Sequence, residues 1–183
     1  MFQKLNLNFS NLDIARLKGT ELHRYGNPQT KYSTYDLVDW NYFLSLHNGK
    51  IKFDIRPHYA YYAEVKGDHY LYPHIDPGST VALNYYISSA NATTSFYKEK
   101  EQLDYLKTTE ELDEKNSYMV VKAYNDFEKL DLLGCFTPLP GEAYLMRVDI
   151  LHSVSKPEGV RSILTWRWHT HSFEEILESI HIL

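Results

Sequence analysis

Apolar and polar residues alternate with a period of two through the middle of the chain, and with a helical period only towards its ends. Residues 4–9 alternate as a short strand, and Ser10 is placed to cap a short helix running through Leu17. Residues 35–49, YDLVDWNYFLSLHNG, predict a helix with Leu37, Trp40, Phe43 and Leu44 as one apolar stripe against a sheet. The period then changes. Residues 51–55, 59–65 and 70–76 predict strands, with Lys66-Gly67-Asp68 as a turn, and 81–88 and 93–97 follow. Strand patterns resume at 118–124, 132–136, 142–148 and across 151–168. The tail SFEEILESIHIL predicts an amphipathic helix capped by Ser172. Residues 98–117 are densely charged and predict an inserted surface loop with helical pieces, its carboxylates forming a solvated face.

Many short strands with turn signals, and helices mainly at the two ends, predict a mainly β fold with flanking α-helices: a sandwich or barrel. The 183 residues make one domain large enough to bury a core. The 43% apolar content argues against disorder, and the 16 tyrosines suit strands and cleft walls, where a ring is buried and a hydroxyl is offered. A net charge of -5 argues against a broad nucleic-acid footprint. No stretch reaches membrane-spanning length. Cys135, the single cysteine, has no partner for an internal disulfide, sits in a strand pattern and is expected in the core. These features predict a soluble cytoplasmic protein.

The candidate chemistry begins at Tyr72-Pro-His-Ile-Asp76. On one strand His74 and Asp76, two apart, point to the same face and offer a nitrogen and an oxygen donor. Further on, ILHSVSKPEGVRSILTW carries His152 and Arg161 on either side of Lys-Pro-Glu-Gly. Read as a hairpin with a four-residue loop, 156–159, this segment puts Val154 opposite Arg161 and His152 opposite Ile163. His152 and Arg161 are then diagonal neighbours on one face, ~7–8 Å apart at the backbone. Two histidines and a carboxylate are the set that holds ferrous iron on one face. A buried arginine beside them suits a carboxylate ligand, which its planar fork grips with two hydrogen bonds. Of the other histidines, His169 and His171 read as a surface pair, and His23, His47, His58, His69 and His181 have no partner at ligand spacing. Asp149 reads as structural.

On these residues the chain resembles the Fe(II)/2-oxoglutarate-dependent dioxygenases, in particular the small prolyl-hydroxylase-like branch. The resemblance spans about residues 62–168. YYAEVKGDHYLYPHIDPG resembles the Tyr-rich strand, Gly turn and His-x-Asp of that branch, and ALNYYI its following strand. PGEAYLMRVDILHSV resembles the Pro-Gly turn, strand and distal histidine, and GVRSILTWRW the strand bearing the co-substrate arginine. The resemblance implies a double-stranded β-helix (jelly-roll, cupin-like) core at about residues 51–168, with the terminal helices packed on it. It implies His74, Asp76 and His152 as iron ligands and Arg161 and Tyr86 on the distal carboxylate of 2-oxoglutarate. Thr165 is implied to line the pocket, and Tyr72, which shares the parity of His74, to contact the co-substrate. Two positions depart from the pattern: Leu71 stands where a tyrosine commonly precedes the first ligand, and Glu64 and Val65 where another is expected upstream. Halogenases of this fold lack the carboxylate that Asp76 retains, so hydroxylation is implied. Fe(II), 2-oxoglutarate and O2 would be consumed, with oxidative decarboxylation to succinate and CO2 and a peptide, prolyl or small-molecule substrate. The same residues leave open a cupin-like metalloprotein using iron without 2-oxoglutarate, and a non-catalytic ligand-binding barrel.

Overall fold

In a computed structural model, residues 1–7, 9, 12–26, 30–37, 39–47, 49–67, 70–76, 78–101, 106–108, 121–123 and 127–183 are described. Their elements, in chain order, are β1 (Phe2–Leu5), α1 (Ile14–Leu17), β2 (Lys18–Gly26), β3 (Thr30–Leu37), α2 (Trp40–His47), β4 (Ile51–Phe53), β5 (Tyr59–Gly67), β6 (Leu71–His74), β7 (Val81–Ser88) and β8 (Thr94–Glu99). There follow β9 (Leu106–Thr108), β10 (Val121–Ala123), β11 (Leu130–Phe136), β12 (Ala143–Arg147), β13 (His152–Val154), β14 (Arg161–Trp168), α3 (Phe173–Ser179) and β15 (Ile180–Ile182). A seven-stranded sheet runs β1-β12-β7-β14-β5-β3-β2, a six-stranded sheet runs β11-β8-β13-β6-β10-β9, and β15 pairs with β4. The pairings are antiparallel.

From β5 to β8 the chain changes sheet at each strand, and it does so again from β11 through β14. The four strands β12-β7-β14-β5 therefore lie in one sheet and β11-β8-β13-β6 in the other. This alternation is the jelly roll expected from the sequence.

It also corrects the expected hairpin. The strands carrying His152 and Arg161 do not pair: β13 lies between β6 and β8, and β14 between β5 and β7. Lys156 to Gly159 is a crossing between sheets, with Gly159 at φ 123, a conformation that favours glycine. The crossing is fastened to the β7–β8 turn, where Glu158 N–H donates to the Ala90 carbonyl at 2.7 Å. A short turn with a glycine serves either purpose, and only long-range pairing decides between them. His152 and Arg161 thus approach each other through the interior rather than along one sheet.

Strand parity divides the molecule into two apolar layers. Inside the roll, Ala63, Ala82, Tyr86, Phe96, Tyr144, Met146 and Ile163 pack together. On the outer face of the larger sheet, Leu83, Leu145, Leu164, Trp166 and Trp168 pack against Leu17, Phe43, Leu46, Phe173 and Ile176 of the helices. Ala82, Asn84 and Tyr86 of β7 share the inner face.

Several element boundaries differ from the sequence reading. The first strand is Phe2–Leu5 rather than 4–9. The first helix begins at Ile14, with Asp13 accepting from Ala15 N–H at 3.0 Å, while Ser10 lies outside the described residues. The expected 35–49 helix starts only at Trp40, because Asp39 caps it, accepting from Tyr42 N–H at 2.7 Å. Leu37 belongs to β3. Rotation of the shortened helix buries Phe43 and Leu46 and leaves Leu44 44% exposed. The β2–β3 hairpin had no sequence expectation. The tail leaves its helix at Ile180 to pair with β4, with Ile182 opposite Ile51. Much of 98–117 lies outside the described residues, and its described piece β9 is strand, paired with β10. Cys135 is exposed, not core. It faces away from the interior on edge strand β11, its neighbour Phe136 pointing inward.

Candidate metal centre

β6 and β13 are neighbours, and His152 sits opposite His74 in the ladder. The two imidazoles lie 4.4 Å apart at their centroids. Asp76, just past the end of β6, has its amide held by the Val148 carbonyl at 2.9 Å. Its Oδ1 lies 3.3 Å from His74 Nε2 and 3.7 Å from His152 Nε2. One donor atom from each residue falls within 4.8 Å of the others, and this is the sole such group among the described residues. The other ring nitrogens are occupied: His74 Nδ1 donates to the Tyr72 carbonyl at 2.6 Å and His152 Nδ1 to the Ile150 carbonyl at 2.9 Å. Those bonds fix both tautomers, so that each Nε2 carries a lone pair towards Asp76.

The electrostatics keep these groups in the form that binds a cation. Burial alone raises the Asp76 pKa, but the Arg167 guanidinium, His152 and His74 outweigh it and hold the carboxyl well below the usual carboxylate range. Burial, helped by repulsion from His74, pushes His152 down to about 4. Arg167 donates through Nη1 to Asp76 Oδ2, on the far side from the histidines. Sequence reasoning missed this residue. The signal was its spacing: six residues beyond Arg161 on the same strand is the same face.

The second part of the site lies on β14 and β7. Arg161 is 3% exposed. Its Nη2 donates to Tyr86 Oη at 3.1 Å and to Thr94 Oγ1 at 2.7 Å, so the guanidinium is anchored from both sheets. Its Nε and Nη1 are buried with no hydrogen-bond partner among the described residues. A buried guanidinium with two unmet donors and no carboxylate is costly. An acid group docking there removes that cost. Tyr86 thus lies beside Arg161, and Thr94, which no local pattern marks, joins it. Thr165 is fully buried on the inner face. The structure brings Tyr72 to the site through its backbone carbonyl on His74, while its ring lies 6.4 Å from that of Tyr70.

The other histidines whose side chains are described stand apart from this centre. His58 stacks on His169 at 4.5 Å with His171 at 6.0 Å, a surface cluster. His47 is packed among Phe9, Phe43, Phe53 and Trp166, and accepts from Trp166 Nε1–H at 3.1 Å. His181 pairs with Asp54 at 2.6 Å. His69 lies outside the described residues. Asp149 accepts two hydrogen bonds from Arg147, at 2.9 and 2.8 Å, a structural role as expected. Among the described residues no helix is long and apolar enough to cross a membrane.

No family model and no curated protein sequence matches the chain. Solved structures give distant likenesses. An oxidoreductase of the 2OG-Fe(II) oxygenase family from Burkholderia pseudomallei is 10% identical at a TM-score of 0.43, over 86% of this chain and 74% of its own. The epimerase SnoN, solved with Fe3+, alpha ketoglutarate and nogalamycin RO, is 9% identical at 0.39, over 81% and 67%. E. coli ycfD is 10% identical at 0.41 over 81% of this chain, which spans only 36% of ycfD. The functional reading below therefore stands on the residues and their geometry.

Proposed function

We propose that this protein is an Fe(II)- and 2-oxoglutarate-dependent dioxygenase that hydroxylates a peptide side chain or a small molecule. The observation that carries this reading is the combination, inside one roll, of a His-Asp-His group with a buried arginine that has two unmet donors. His74, Asp76 and His152 would hold the iron, a donor set of two imidazoles and one carboxylate that suits it. Arg161, oriented by Tyr86 and Thr94, would take the distal carboxylate of 2-oxoglutarate. Thr165 and Tyr72 complete the co-substrate pocket. When bound, iron, 2-oxoglutarate and O2 supply the oxidation, with release of succinate and CO2. The chain's own contribution is placement. The Tyr72 and Ile150 carbonyls orient the imidazoles, Arg167 orients Asp76 and keeps it ionised, and the apolar interior excludes water. A lone thiol and ferrous iron both suit a reducing compartment, and we assign the protein to the cytoplasm.

Anaerobic titration with Fe(II) and 2-oxoglutarate tests the reading. A visible charge-transfer band that disappears in His152→Ala is the expected result. Iron uptake with neither a band nor succinate release would turn the assignment to a cupin-like metalloprotein that does not use 2-oxoglutarate. Purified protein that takes up no iron would sink both enzyme readings. Arg161→Ala is expected to keep the iron and bind 2-oxoglutarate far more weakly.

A further inference from the structure

Three imidazoles gather at the surface where β5 begins and β14 ends. His58 precedes β5, His169 and His171 follow β14, and the two strands pair up to this end, with Tyr59 opposite Arg167. Hydrogen bonds hold the backbone on both sides. His58 N–H donates to the Arg167 carbonyl at 2.9 Å, and Thr80 Oγ1 donates to the His171 carbonyl at 2.7 Å. His58 and His169 are exposed and His171 is half-buried. The His58 ring lies 4.5 Å from that of His169 and 6.0 Å from that of His171. Tyr59 stands edge-on to His169 at 5.0 Å and braces it. A tetrahedral zinc ion bound by imidazole nitrogens at about 2.0–2.1 Å sets the ring centres about 5 Å apart. The two observed spacings bracket that value. Burial, and after it repulsion from His58, lowers the His169 pKa and keeps that ring neutral, the form that ligates a metal. His171 Nδ1 is buried with no hydrogen-bond partner among the described residues, so no polar contact on that nitrogen fixes its ring. The nitrogens do not converge as they do in the His-Asp-His group. With the ring centres already at ligand spacing, side-chain rotation alone closes that gap, and exposed side chains rotate in picoseconds to nanoseconds.

We infer that His58, His169 and His171 form a second metal site, which takes one divalent cation of the zinc class on three imidazoles with water as the fourth ligand. The donors differ from those of the His-Asp-His group. With three imidazoles and no carboxylate, the set favours zinc, copper(II) or nickel(II) over ferrous iron. Two ligands come from the segment leaving β14 and the third from the segment entering β5, so a bound ion clamps the ends of two neighbouring strands. The inference does not depend on the function proposed above, because it uses none of the same side chains.

The test is equilibrium dialysis of the full chain against Zn(II) at neutral pH, with the bound metal counted, and Co(II) as a spectroscopic stand-in. His58→Gln, His169→Gln and His171→Gln should each weaken one zinc equivalent by about tenfold or more relative to the unaltered protein. That equivalent should survive in His152→Ala, and Co(II) in its place should show the strong visible absorption of a tetrahedral ion. The three glutamine variants change exposed or half-buried side chains, so their melting temperatures without metal should match that of the unaltered protein. They carry the test even where His152→Ala does not fold. Zinc uptake that is the same in the unaltered protein and in all three variants would overturn the inference. Loss in the His169 and His171 variants but not in His58→Gln would also overturn it, leaving an ordinary surface pair. A folded His152→Ala protein that binds no zinc would assign all uptake to the His-Asp-His group and overturn it as well.

Discussion

At the scale of single residues, the environment rather than the residue type decides what each histidine does. His74 and His152 have carbonyls on Nδ1 and a carboxylate facing Nε2, whereas His47 has an indole N–H on Nε2 and aromatic rings around it. Burial pushes His47 down to about 4, so it folds neutral. The unfolded chain takes up this proton near the ordinary pKa of about 6.5. Stability from the neutral ring is therefore complete above that value and falls as pH drops from about 6.5 to about 4, by on the order of 2–3 kcal/mol. His47→Gln keeps an acceptor for Trp166 without titrating, and its denaturant midpoint should lose less over that window. Identical pH profiles for the two proteins would assign the acid sensitivity elsewhere. Arg167 gives a second prediction. Arg167→Met removes the partner that orients Asp76, and losses of this kind commonly cost about 10–100-fold in metal affinity. Competition with a chelator measures it, and unchanged affinity would make the contact incidental. His74, Asp76, His152, Arg161 and Tyr86 were legible because strand parity is local and their motifs come in order. Thr94 was not, because its importance lies in what it faces across the roll.

At the scale of elements, legibility followed the strength of the local signal. Residues 81–88 were read to the residue as β7, a buried strand bounded by turn signals. Helix α3 was likewise announced by its cap Ser172, and the structure completes a capping box: Ser172 Oγ accepts from Glu175 N–H at 3.2 Å, and Glu175 Oε2 accepts from Ser172 N–H at 2.8 Å. That cap secures a helix whose Phe173 and Ile176 cover the outer face of the larger sheet. Ser172→Ala should cost about 1 kcal/mol, seen as a lower denaturant midpoint with an unchanged slope. No shift would mean that packing alone holds the helix. The β2–β3 hairpin had no such signal. Its segment KGTELHRYG has no regular apolar alternation, and it is strand because β3 finds a free edge at β5. The tail was misread for a related reason: SFEEILESIHIL continues a helical period, but pairing of Ile180–Ile182 with β4 wins over local propensity.

At the scale of the whole molecule, period-two patterning announced a β-rich fold without saying which strand joins which sheet. The supposed hairpin at 151–168 illustrates this, since its local geometry permits pairing and only the neighbours of β13 and β14 forbid it. The distinction has an energetic consequence. A hairpin would put metal and acid sites on one sheet. Here the histidines lie on the smaller sheet, whereas Arg161 lies on the larger one and bonds Thr94 on the smaller. Under the proposed function, ligands at the centre would bridge the two sheets and oppose their separation. Binding to the folded state alone stabilises by about 2.7 kcal/mol at a hundredfold excess over the dissociation constant. For a chain of this length that is a rise of roughly 5–10 °C in the melting temperature. Adding Fe(II) and then 2-oxoglutarate under anaerobic conditions should raise it in two steps. His152→Ala should lose both steps, and Arg161→Ala only the second. A 2-oxoglutarate step that survives in Arg161→Ala would detach the acid from the arginine. Steps of equal size in Arg161→Ala and the unaltered protein would mean that the acid does not bridge the sheets.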